Sequence, residues 1–196
     1  MTEYQSKILD MNKCICSDFK EAQNCTIIAI ARILNYYHFK GYNKIPQDYK
    51  EIYDEVLKVA IDNGYTQKKG TNPLKIKRIF IEVLNNYGYK KCHSKGVYIW
   101  SFNKQVKNEI DNDRPVVMNI ARGHYKDHSV TVCGYFTCKT KHKFLFGHLK
   151  KKHEFVCILD GWNREYRYID FKSFSYNIIT DGIGSFNQII LPNDEK

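Results

Sequence analysis

Three short stretches of this sequence hold residue types that together could make a thiol nucleophile. Gln23-Asn24-Cys25 opens an apolar run, Asp127-His128-Ser129 opens an alternating one, and Leu159-Asp160-Gly161-Trp162 closes another. A cysteine at a helix N-terminus faces unpaired main-chain N–H groups and the positive end of the helix dipole. Both favour the thiolate, which is the reactive form. His128 would share a strand face with Val130, Val132 and Gly134, a suitable seat for a base. Asp160 could accept a hydrogen bond from the imidazole Nδ1–H and fix its tautomer, and Trp162 could shield that bond from water. Each stretch also has a plainer meaning: a packed thiol, a strand-end histidine, a turn aspartate bonded to its own backbone. Their order, Cys25 then His128 then Asp160, adds information, because a fold brings such groups together across long sequence separations.

The elements that must position them can be read from periodicity. Cys25 to Tyr37 carries a broad apolar helix face, with Asn24 as candidate N-cap. Further helices are expected near Gln47 to Asn63, Pro73 to Tyr87 and Phe102 to Asn112, with Gly64 and Gly88 as stops after the first two. After Pro115 the pattern turns to short β-branched and aromatic runs: Val116 to Ala121, His128 to Tyr135, Phe155 to Leu159, Tyr166 to Ile169 and Phe186 to Leu191, with Lys143 to Phe146 as a further short strand. Helices first and strands afterwards predict an α+β fold. The 196 residues fit a single domain, 1–196, with a helical lobe over about 1–113 and a sheet lobe over about 114–196.

Composition narrows the class. The chain is 43% hydrophobic and carries a net charge of +10. Its basic residues are scattered, apart from Lys139 to Lys143 and Lys150 to His153, which read as a solvated surface hairpin. No aromatic-interleaved basic motif argues for nucleic acid. Seven cysteines, an odd number, form no disulfide framework. Met1 to Lys13 has no signal-peptide core, and no apolar run is long enough to span a bilayer. The expectation is a cytoplasmic protein with no membrane partner, or a secreted one if an export signal has been trimmed away.

The segment from Asn24 to Tyr37 resembles the catalytic helix of streptopain-like peptidases and of bacteriocin-processing (double-glycine-type) peptidases. His128 to Gly134 resembles their histidine strand, including a glycine six residues after the histidine. Leu159 to Trp162 resembles the strand end that carries their Asn or Asp. The resemblance implies a papain-like fold, with the helical half packed on an antiparallel sheet. It also implies a Cys25–His128–Asp160 triad, a thioester acyl-enzyme, a peptide or protein substrate, and no metal or organic cofactor. One departure stands out. Those families usually place a glutamine oxyanion donor about six residues before the cysteine, where this chain has Phe19; Gln23 is the candidate replacement, beside the Cys25 N–H. The small N-terminal extension also departs from the large prosegment of streptopain-like enzymes.

Other activities fit the same residues. A papain-fold acyl or amide transferase or a deamidase would use the same thioester, and a binding module could have kept the fold with weakened catalysis. Cys133, Cys138, His142, His148, His153 and Cys157, with Cys14 and Cys16, form the one region dense in metal-ligand types, but in no standard zinc spacing.

Overall fold

The computed structural model describes residues 3–11, 19, 22–121, 125, 127–144, 147–162, 165–175 and 182–195. Cys14, Cys16 and Asn163 lie outside them, as do the last two residues of the run Lys143 to Phe146. Helix α1 (Cys25–Phe39) is buried at every position from Thr26 to Tyr37. A helix buried all round needs cover on every side. Helix α2 (Tyr49–Asp62) covers one side; strands β3 (Val116–Ala121) and β4 (His128–Phe144) cover another. Helix α3 (Ile76–Asn86) packs on α2 and reaches the sheet. Each start has a local cause. Asp48 accepts the Lys50 N–H at 2.9 Å to cap α2, and Asn72 accepts the Leu74 N–H at 3.0 Å ahead of the 3₁₀ turn Pro73–Lys75 that leads into α3.

The sheet has seven strands, all paired antiparallel: β1 (Glu3–Ile8), β2 (His93–Val97), β3, β4, β5 (Gly147–Leu159), β6 (Arg167–Asp170) and β7 (Gly182–Ile190). Their order is β2–β7–β3–β4–β5–β6, with β1 added beside β4. The expected α+β architecture, helices from the N-terminal half against an antiparallel sheet, is thus present. It differs in two ways. Strands β1 and β2 come from the part read as helical, and β4 and β5 form a hairpin much longer than the two short runs expected. The hairpin sets Lys139 opposite Lys152 and Lys141 opposite Lys150. Near Phe102 the chain makes a π-helical turn (Phe102–Lys107) before the short helix α4 (Asn108–Asp111), and Phe102, Val106 and Ile110 are all buried, as their spacing requires.

Strand β4 changes partners midway. Its first part bonds to β3 (His128 to Val132) and its later part to β1 (Gly134 to Lys139), while β5 runs along the other edge. The change falls at a bulge around Cys133, whose carbonyl accepts the Leu9 N–H at 2.7 Å. A Cβ at Gly134 would lie 2.6 Å from the Lys7 carbonyl oxygen and 3.0 Å from Ile8 Cα. This explains the glycine six residues after the histidine: β1 crosses too close for any side chain. Gly134→Ala should therefore lower unfolding stability by about 1–3 kcal/mol in a denaturant titration, since backbone must move to admit the methyl.

Candidate active site

Cys25 is the first residue of α1, and the helix begins with the Ile28 N–H bonded to the Asn24 carbonyl at 3.0 Å. Asn24 does not cap the helix with its side chain, as expected from its type. Its amide instead donates to the Tyr53 hydroxyl at 2.9 Å, which ties the start of α1 to α2. Gln23 precedes it in the left-handed region, φ +59°. Asp127, just before His128, has the same φ of +59°. Both proposed reacting residues thus follow a backbone conformation that non-glycine residues seldom adopt.

Strand β4 brings His128 and Ser129 to the α1 N-terminus. The Ser129 N–H donates to Cys25 Sγ at 3.4 Å, and the side chains of Cys25 and His128 are hydrogen-bonded. The other imidazole nitrogen, Nε2, lies 2.6 Å from the main-chain oxygen of Asp160. A carbonyl can only accept, so Nε2 carries a proton and Nδ1 is left to face the thiol. This contact differs from the expected one in both partners: Nε2 rather than Nδ1, and the Asp160 carbonyl rather than its carboxylate. The carboxylate, 1% exposed, turns the other way. Oδ1 accepts the Trp162 N–H at 3.0 Å, closing a turn. Arg167 Nε lies 3.0 Å from Oδ2, near enough for a charge pair though not aligned for a hydrogen bond. Buried Arg32, on α1, donates to the Leu159 carbonyl at 3.2 Å and so ties that helix to the strand end that holds Asp160.

Rings cover the imidazole. Trp162 stacks on His128 with centroids 4.6 Å apart, and Tyr125 stacks on both, 5.9 Å from His128 and 5.4 Å from Trp162. Trp162 is 54% exposed, with its other side in water. An aromatic face beside the imidazole favours its cationic form.

The electrostatics follow from this geometry. Burial is the largest influence on Cys25 and disfavours its thiolate. The hydrogen bond and charge of His128, the Ser129 N–H and the Thr26 hydroxyl together outweigh it, and the thiol sits below its ordinary value. Burial is also the largest influence on His128 and disfavours its cation. The Cys25 hydrogen bond and charge, the Asp160 carbonyl and the Asp160 charge outweigh it, and the imidazole sits above its ordinary value. Opposite shifts on touching groups favour a thiolate–imidazolium pair.

Both residues open onto a cleft of about 440 Å³. Gln23, Lys69, Gly70, Thr71 and Leu74 from the helical half and Asn119, Ser129, Gly184 and Ser185 from the sheet are among the residues that line it. Phe19, at the position where a glutamine is usual, stacks on Tyr53 with centroids 3.8 Å apart and packs, partly buried, against the core. Gln23 does stand in the cleft wall. Beneath Cys25 runs a buried polar chain that the sequence reading missed: Thr26 Oγ1 to Ser129 Oγ at 2.8 Å, Ser129 Oγ to Asn119 Oδ1 at 2.8 Å, and Asn119 Nδ2 to Ser185 Oγ at 2.9 Å and Asn187 Oδ1 at 2.8 Å. Its one sequence signal is Asn119, a lone amide inside the apolar strand Val-Val-Met-Asn-Ile-Ala. Among the described residues, no three of His, Cys, Asp and Glu gather as a metal-ligand set, and no helix is long and apolar enough to cross a membrane.

A thiol at the start of a buried helix, held against a histidine on an antiparallel sheet, is the arrangement of the papain-like cysteine-peptidase class. The sequence agrees: the chain belongs to the Peptidase_C39 like family, which it matches over residues 5–180. That match bears on the class and not on streptopain-like enzymes in particular. No curated protein matches the chain.

Two outcomes are expected. The rate of Cys25 alkylation by iodoacetamide, followed by peptide mapping, should rise with a midpoint below the free-thiol value of about 8.5. In H128A the midpoint should move to or above that value, because burial remains while the imidazolium is gone. The second concerns Asp160→Asn, which leaves the main-chain carbonyl in place. It should keep substrate turnover within about tenfold of wild type, and lower the alkaline limb of the pH–rate profile because the charge that helped hold His128 protonated is lost.

Proposed function

We propose that the chain is a cysteine peptidase or amide hydrolase that works through a thioester acyl-enzyme. Cys25 thiolate attacks the carbonyl carbon; the C–N bond breaks as His128 Nδ1–H protonates the departing amine. His128, now neutral, takes a proton from water, which attacks the thioester and releases the acid and the Cys25 thiolate. Asp160 orients the imidazole through its carbonyl. The Cys25 N–H and the Gln23 side chain are the donors assigned to the oxyanion. The observation that carries this reading is the hydrogen-bonded Cys25–His128 pair at the edge of an open cleft, with the far ring nitrogen pinned to Asp160.

The test is turnover of a mixed peptide substrate pool by the purified chain. Cys25→Ala and His128→Ala should each lower kcat/KM by about 10³-fold or more. Gln23→Ala should lower kcat by about 10²-fold with little change in KM, as loss of one oxyanion donor does. Denatured wild-type enzyme quenched during turnover should carry an acyl mass on Cys25. Full activity in C25A would reject the assignment, and ammonia release from glutamine side chains without backbone cleavage would move it to deamidation.

A further inference from the structure

We propose that Ser185 forms the floor of a substrate subsite that takes a neutral amide side chain, asparagine or glutamine, from the peptide attacked by Cys25; this rests on the hydrolase reading above. Asn119 has two N–H hydrogens, and both are committed, one to Ser185 Oγ and one to Asn187 Oδ1. Its carbonyl oxygen takes the Ser129 hydroxyl proton. Ser185 Oγ is itself an acceptor in this chain, so its own proton must go elsewhere. Among the described residues it has no acceptor. The residue is 3% exposed and lines the cleft that holds Cys25, so the proton is presented to whatever fills that space.

Two further features point to the same ligand chemistry. Thr71, whose Oγ1 is buried and without a hydrogen-bond partner among the described residues, lines the same cleft. Buried orphan hydroxyls beside a cavity call for a polar occupant. Next to Ser185 the β3–β7 ladder skips Gly184: Asn119 pairs with Ser185 and Ile120 with Ile183. A bulge leaves its extra residue out of the ladder, and Gly184 is exposed on the cleft wall, so main-chain groups are offered there beside the hydroxyl donor. A side-chain amide presents an oxygen for the Ser185 proton and an NH₂ for a main-chain carbonyl. An aliphatic side chain would bury both hydroxyls unsatisfied. A carboxylate has no proton to give a main-chain carbonyl and would sit beside the Cys25 thiolate. Leu74 and Tyr98, which also line the cleft, are 65% and 50% exposed, while Ser185 is buried.

The experiment uses peptidyl chloromethyl ketones with Gln, Asn, Leu or Met at either of the two residues before the reactive group. The readout is the rate of Cys25 alkylation by mass spectrometry, divided by the same variant's rate with chloroacetamide. Wild type should react at least about tenfold faster with the amide probes at one of the two positions, the discrimination expected of a polar group that an apolar probe leaves unpaired. Ser185→Ala should bring amide and aliphatic probes within about twofold of each other, and Ser185→Thr, which keeps the hydroxyl, should retain the preference. Aliphatic probes as fast as amide probes on wild type would overturn the inference, even if S185A failed to fold. So would an amide preference that survives in S185A. If no peptidyl probe outpaces chloroacetamide, the hydrolase reading itself fails and the inference falls with it, a result distinct from fast but unselective labelling.

Discussion

The site depends on one hydrogen bond, from His128 Nε2 to the main-chain oxygen of Asp160. Because a carbonyl accepts and never donates, the bond selects the tautomer without needing a charge. It also fixes the ring plane, so that the second nitrogen meets Cys25 and the flat faces meet Trp162 and Tyr125. Anything that moves the end of β5 moves the imidazole. Arg32, reaching from α1 to the Leu159 carbonyl, and the turn that Asp160 closes with the Trp162 N–H both hold that strand end still.

The second requirement is that β4 reach the N-terminus of α1 at the right height. A strand flanked by β5 on one edge must satisfy its other edge along its whole length. It does so with two partners in turn, β3 near the site and β1 beyond it. The bulge at Cys133 and the absence of a side chain at Gly134 allow the exchange. The buried amide of Asn119 then couples β3, β4 and β7 beneath the cleft, through Ser129 on one side and Ser185 and Asn187 on the other. Positions that would be apolar in an ordinary sheet core here give the cleft a polar floor.

Much of this was legible in the sequence. The apolar run after Cys25 marked a buried helix, the alternation after His128 marked a strand, and Gly64 and Gly88 marked helix ends, because burial and turn chemistry leave direct traces in residue type. Strand β1 was not legible. Glu3–Ile8 is mostly exposed and held by main-chain bonds to β4, which impose little pattern on side chains. The extension of the β4–β5 hairpin was hidden for the same reason, since lysines opposite lysines read as loop. Asp160 was picked out by its carboxylate, yet it meets the histidine through an atom every residue possesses. No inspection of side-chain types can foresee a main-chain contact. The polar chain under Cys25 was missed because serine and threonine beside a strand end look like surface.

The strand order has a consequence for how the protein comes into being. Cys25 emerges early in synthesis, but β3 is flanked by β7, which ends at Ile190. The sheet that carries His128 is therefore completed only after roughly 165 further residues, about 10–30 s at ordinary elongation rates. Contacts of such long sequence range also close slowly. Cys25 thus waits for more than 100 residues before the imidazole of His128 can reach it, and for β7 before the sheet that holds His128 is whole.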